Sequence, residues 1–99
     1  MINQQEIIQL IHTHKAFLKQ QFGFNHIFLF GSFATGTATL HSDVDLLIDV
    51  DKSAKTYFNL LASKHYLKTL FNRDIDLVYK DSVHPLIEQE IQNELIEIE

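Results

Sequence analysis

The chain has 99 residues and a mass of 11.5 kDa, the size of one small domain, which excludes an enzyme assembled from separate cofactor and substrate modules. An apolar fraction of 45% with 21% charged residues is that of a chain folding round a core rather than a disordered one. Eight basic residues against thirteen acidic ones give a net charge of −5, which argues against a surface built to grip nucleic acid, and the lack of cysteine excludes disulfides and thiolate metal sites.

Asn3 followed by Glu6 has the form of a capping box. Ile7, Leu10, Ile11, Phe17, Leu18 and Phe22 then recur at helical spacing, and Gly23 stands where a helix-ending glycine would, so an amphipathic helix is expected over 4–22. No basic stretch precedes an apolar one at the N-terminus and no apolar run approaches a membrane span, so a cytoplasmic location is expected. His26–Phe30 reads as a buried strand running into Gly31, and 31–37 as a turn with room for one turn of helix. Val44–Val50 reads as a second strand, 54–71 as a helix and Ile75–Tyr79 as a third strand. Pro85 suits a first helical turn, and Ile87, Ile91, Leu95 and Ile98 follow as a helix stripe; Leu95-Ile96-Glu97-Ile98 also alternates as a short edge strand would. Tyr57, Tyr66 and Tyr79 are expected in or against the core, and Lys64 and Lys68 on a solvated helix face. Charge is uneven: 51–80 nets +3, whereas 81–99 holds six acids and no base. The order of elements predicts a single α/β domain over 1–99. Its small mixed sheet has about three strands, with a fourth edge strand allowed, and is covered by helices. The link from the second strand through a helix to the third is long enough for a parallel crossover.

Asp43, Asp45 and Asp49 interrupt an otherwise apolar strand, and Asp74 and Asp76 repeat the pattern at the third. Asp43 and Asp45 lie two residues apart on an alternating strand and so share a face, where paired carboxylates repel unless a cation neutralises them. Asp76 is flanked by Ile75 and Leu77, deep in the third strand, whereas Asp74 sits beside Arg73 at its entrance, where a solvated, charge-paired residue is the plain expectation. If the strands are neighbours, three carboxylates converge, and hard oxygen ligands suit magnesium. Gly31-Ser32, ending the first strand, offers close backbone approach, a hydroxyl and turn amides, which together favour a phosphate; no Walker loop or Rossmann fingerprint is present. His12 and His14 do not share a helix face, and His26, His41, His65 and His84 are scattered, so no histidine site is expected.

Gly31-Ser32, ten intervening residues, then Asp43-Val44-Asp45 resembles the Gly-Ser-x10-Asp-x-Asp signature of the DNA polymerase beta-like nucleotidyltransferases. The surrounding Phe28–Gly36 and Ser42–Ile48 look like the minimal nucleotidyltransferase family, and Ile75-Asp76-Leu77-Val78 resembles its third-carboxylate strand. The resemblance implies that Gly31 and Ser32 hold nucleotide phosphates. It implies that Asp43, Asp45 and Asp76 bind two magnesium ions, with Asp76 helping to activate the attacking hydroxyl. Many members are antitoxins paired with a HEPN-domain ribonuclease toxin, and some transfer AMP from ATP to a toxin tyrosine, so a hetero-oligomer with such a partner is implied. One departure stands out: the family often carries arginine in the phosphate turn, where this chain has Phe33 and Thr35. Lys52, Lys55 or Arg73 are the cations available to replace it. The resulting expectation is a magnesium-dependent adenylylating antitoxin; the alternative is a catalytically weak module that neutralises its partner by contact alone. Transfer to a small molecule would need a substrate domain that 99 residues do not supply.

Overall fold

The computed structural model describes residues 2–99. Helix α1 (Gln4–Phe22) begins at the capping box read from sequence: Asn3 Oδ1 accepts from the Glu6 amide at 2.9 Å and Glu6 Oε1 accepts from the Asn3 amide at 3.3 Å. It ends on left-handed Gly23, whose amide donates to the Leu18 and Lys19 carbonyls. Strand β1 (Phe24–Phe30) follows, then a single turn of helix α2 (Ser32–Thr35), strand β2 (Val44–Val50), helix α3 (Tyr57–Phe71), strand β3 (Ile75–Tyr79), helix α4 (Pro85–Ile91) and strand β4 (Ile96–Glu97).

The four strands form one sheet in the order β3-β2-β1-β4; β2 and β3 are parallel, and β1 is antiparallel to both β2 and β4. Register pairs Leu29 with Leu46 and Leu46 with Leu77, and Ile27 with Ile48 and Ile48 with Tyr79, so these side chains share one face. That face is buried with Ile7, Ile11 and Leu18 of α1 and Leu67 and Phe71 of α3. At roughly 1.5–3 kcal/mol for each fully buried large aliphatic side chain, this layer dominates the stability of the fold. The opposite face carries Phe28, Phe30, Asp45, Leu47, Asp76 and Val78, and α4 lies over part of it, leaving a cavity floored by Leu47 and Val78 and roofed by Val83, Ile87 and Ile91.

Several expectations need correction. The stripe Ile87, Ile91, Leu95, Ile98 is not one helix: α4 stops at Ile91, a short 3-10 turn covers Gln92–Glu94, and the chain then pairs with β1. The edge of β1 would otherwise present unpaired polar groups. The Ile98 amide instead donates to the Ile27 carbonyl at 2.8 Å, and the Ile98 side chain is fully buried. Tyr57 is 75% exposed rather than packed, because it is the first residue of α3, whose true cap is Thr56, Oγ1 accepting from Asn59 at 3.0 Å. Tyr79 is buried as expected, and its hydroxyl donates to the Thr56 carbonyl at 2.7 Å, fastening β3 to the start of α3. Lys64 and Lys68 are exposed, Lys68 pairing with Asp74 at 3.0 Å. No helix among the described residues is long and apolar enough to cross a membrane.

Candidate active site

The site gathers where β1 ends and β2 and β3 begin. Gly31 takes φ 74°, ψ −154°, a conformation that L side chains rarely adopt. Space demands glycine as well: a Cβ here would overlap Asp45 Oδ2 and stand 2.9 Å from Asp45 Cγ. The glycine thus lets the backbone turn sharply and lets the Asp45 carboxylate lie directly against it. Ser32 opens α2, whose first turn closes through the Ala34 and Thr35 amides onto the Gly31 carbonyl at 3.0 and 3.1 Å. Phe33, buried, pins this turn to the core, and Gln4 Nε2 donates to the Phe33 and Ala34 carbonyls at 2.9 and 3.1 Å.

Parallel pairing of β2 and β3 sets Asp45 directly beside Asp76. Asp45 is half-buried, and burial, followed by the charges of Asp76, Asp43 and Glu94, pushes its carboxyl up to about 6. Asp43 lies one residue before β2, exposed, at the rim of a polar hollow with Ser42, Arg73 and Asp74. The convergence read from sequence is therefore close for Asp45 and Asp76, with Asp43 at the strand entrance. Asp74 is the solvated, charge-paired residue expected, bound to Lys68, while its carbonyl accepts from Val44 at 3.0 Å.

The three cations weighed as replacements for a turn arginine separate cleanly. Lys52 follows the far end of β2, and Lys55 is bound to Asp81 at 2.6 Å. Arg73 is at the right end, but Nη1 donates to the Leu40 and Ser42 carbonyls at 3.1 and 2.8 Å, and its guanidinium lies 5.5 Å from the centre of the Phe33 ring. Thr35 remains exposed, its hydroxyl turned to Thr37 at 2.9 Å.

Sequence reasoning missed one member. Glu94 Oε1 accepts from the Gly31 amide at 3.0 Å, bringing a carboxylate from the acidic C-terminal segment against the glycine turn. Three further acids of that segment are engaged, Asp81 with Lys55 at 2.6 Å and Glu88 with Lys80 and Glu97 with His26, each at 3.0 Å. Only long-range strand pairing places Glu94 here, and the one local signal was the alternation of residues 95–98.

The donors are all carboxylate oxygens, which suits a hard divalent cation. Magnesium is ordinarily held by one or two carboxylates, with phosphate oxygens and waters completing its octahedron. The adjacent Asp45 and Asp76 fit that pattern. Among the described residues no three carboxylate or imidazole side chains stand together as a protein-only metal site.

The sheet thus sets two carboxylates side by side on its parallel strands at the mouth of a glycine turn. Residues 11–98 match the family described as nucleotidyltransferase domain, and the chain belongs to that family; it is a nucleotidyltransferase. It is 33% identical over 93 residues to a Methanocaldococcus jannaschii protein provisionally named protein adenylyltransferase MJ1379 (92% of this chain, 93% of the relative). It is 31% identical over 96 residues to protein adenylyltransferase MntA of Thermococcus cleftensis (97% and 96%). Its fold matches a toxin–antitoxin crystal structure with AMP-PNP at TM-score 0.72 and 21% identity, covering 99% of this chain and 73% of that one. It also matches a complex of tri-AMPylated Shewanella oneidensis HEPN toxin with MNT antitoxin at TM-score 0.67 and 18% identity, covering 93% and 71%.

Proposed function

We propose that this chain transfers AMP from ATP to a hydroxyl, a tyrosine's in our reading, of a HEPN-domain ribonuclease toxin, and so serves as its antitoxin. The observation that carries the proposal is the Asp45–Asp76 pair, with Asp45 against Gly31, in a chain resembling protein adenylyltransferases along nearly its whole length. In this reading Gly31 and Ser32 receive the triphosphate, the Gly31 backbone because no side chain intervenes and Ser32 through its hydroxyl. Asp43, Asp45 and Asp76 would hold two magnesium ions. Bound there, magnesium supplies charge neutralisation at the phosphates and on the pyrophosphate leaving group. Asp76, exposed at the edge of the cavity under α4, takes the proton of the acceptor hydroxyl. The acceptor oxygen bonds to the α-phosphorus, the bond from that phosphorus to the bridging oxygen breaks, and pyrophosphate departs. The apolar walls of that cavity, Leu47, Val78, Val83 and Ile87, suit an aromatic ring behind the hydroxyl better than a bare serine side chain.

Contact-only neutralisation is the second reading, and the commitment of Arg73 to loop carbonyls favours it, since the turn is left without an arginine for the triphosphate. Transfer of label from α-phosphate-labelled ATP to the co-purified partner separates the two. The first reading expects labelled partner with wild type and none with Asp45→Asn or Asp76→Asn, together with loss of neutralisation. Neutralisation undiminished in both variants would establish contact alone.

A further inference from the structure

We propose that Glu94 is an internal occupant of the glycine turn: its carboxylate holds the Gly31 amide that a nucleotide phosphate would use, so nucleotide binding requires its displacement. The proposal rests on reading that turn as the nucleotide site. Three observations carry it. First, the contact is a good hydrogen bond, 3.0 Å from the Gly31 amide to Glu94 Oε1, partly buried, and bridging residues 63 apart in sequence. A carboxylate oxygen and a phosphate oxygen are like acceptors for a backbone amide, so one amide proton serves one of them fully.

Second, the fold aims Glu94 at this amide. Strand β4 pairs Phe28 with Glu97 and Leu29 with Ile96. Continuing this antiparallel register brings position 94 opposite 31. There the backbone ladder has already given way to the 3-10 turn Gln92–Glu94, and the Glu94 side chain takes the place of the missing ladder carbonyl. The Ile98 anchor, fully buried and bonded to Ile27, keeps that register from slipping.

Third, negative charge collects here: Asp76, Asp43 and Glu94 all act on Asp45, and no ion pair among the described residues includes any of the four. A triphosphate arriving with Glu94 in place would add to that repulsion; with Glu94 withdrawn, it meets a free amide and one negative charge fewer. Glu94 lies in a short turn between α4 and β4 rather than inside either.

Calorimetric titration of the intact protein with AMP-PNP in the presence of magnesium tests this. Wild type, Glu94→Gln, Glu94→Ala and the exposed control Glu90→Gln would be compared. Removal of the competing acceptor in Glu94→Ala should tighten binding roughly three- to tenfold, the span of a single hydrogen bond. Glu94→Gln, which keeps a neutral acceptor, should fall between Glu94→Ala and wild type, and Glu90→Gln should match wild type. Wild-type binding with no gain, or a loss, in both Glu94 variants overturns the occupant role and makes Glu94 a support for the bound nucleotide. Tightening by Glu90→Gln equal to that of Glu94→Gln would reduce the effect to net charge and likewise overturns it. Failure of all four proteins to bind AMP-PNP overturns the nucleotide-site reading itself.

Discussion

Asp45→Asn should stabilise the metal-free protein at neutral pH and leave it unchanged in acid. The folded Asp45 carboxyl titrates at about 6 instead of 3.8, because burial and then Asp76, Asp43 and Glu94 disfavour its charge. Between those values the folded state holds the proton more tightly than the unfolded chain. Stability linked to this group is therefore greatest below about pH 4, declines as pH rises, and is fully lost above about pH 6. Two units at about 1.4 kcal/mol each give roughly 3 kcal/mol before screening; for a carboxylate in partial contact with water the effective cost is on the order of 1 kcal/mol. Asparagine keeps the shape that lies against Gly31 and removes the charge. In a domain of this size, 1 kcal/mol moves the melting temperature by about 5 °C. Melting curves of both proteins in a chelator, near pH 4 and near pH 7.5, supply the measurement. A gain of similar size at both pH values, or a less stable variant near pH 7.5, would refute the electrostatic reasoning. Added magnesium should raise the melting temperature of wild type and have little effect on the variant.

Gly31→Ala should cost at least about 2 kcal/mol and abolish transfer, since a backbone at φ 74°, ψ −154° alone costs a non-glycine residue roughly 1–3 kcal/mol and the new methyl must displace Asp45; a chemical denaturation curve with a transfer assay checks both. Asp76→Asn should lower transfer by at least about a hundredfold while Asp74→Asn, whose carboxylate is bound to Lys68 at the surface, keeps most of it; equal losses would mean that the wrong acid has been assigned. Thr35→Arg should tighten AMP-PNP binding by up to about tenfold, because a guanidinium can pair with phosphate oxygens, and an unchanged constant would show that the exposed edge of α2 faces away from the triphosphate.

What could be read from the sequence followed local periodicity. The capping box at Asn3 and Glu6 and the left-handed Gly23 fixed both ends of α1, because caps are made by residues within one turn of each other. Ile75–Tyr79 matched its strand because alternation and burial agree there. The C-terminal segment was misread where two periods compete. Ile87, Ile91, Leu95 and Ile98 fit a helix and 95–98 fit a strand, and the free edge of β1, a partner some seventy residues away in the chain, decides between them. The same long-range pairing made Glu94 invisible. Tyr57 was misplaced for another reason, as apolar character at a helix start says nothing about whether a neighbour covers it. Asp45 and Asp76 were legible as a pair only on the assumption that their strands are adjacent, and the parallel register of β2 and β3 supplies that adjacency.

Arg73 fastens the end of the molecule that carries the glycine turn. Its Nη1 donates to both the Leu40 and Ser42 carbonyls while the guanidinium lies 5.5 Å from the centre of the Phe33 ring, so one side chain ties the irregular stretch before β2 to α2 and to the entrance of β3. Lysine would be a poorer substitute, since its compact, strongly hydrated ammonium lacks the delocalised charge that a guanidinium brings to an aromatic ring. Three distant segments are thereby held in place before any ligand arrives, and the entropy of ordering them is lost on folding rather than on binding. A ligand entering at the turn is then expected to meet a backbone already in place rather than a loop that must close over it.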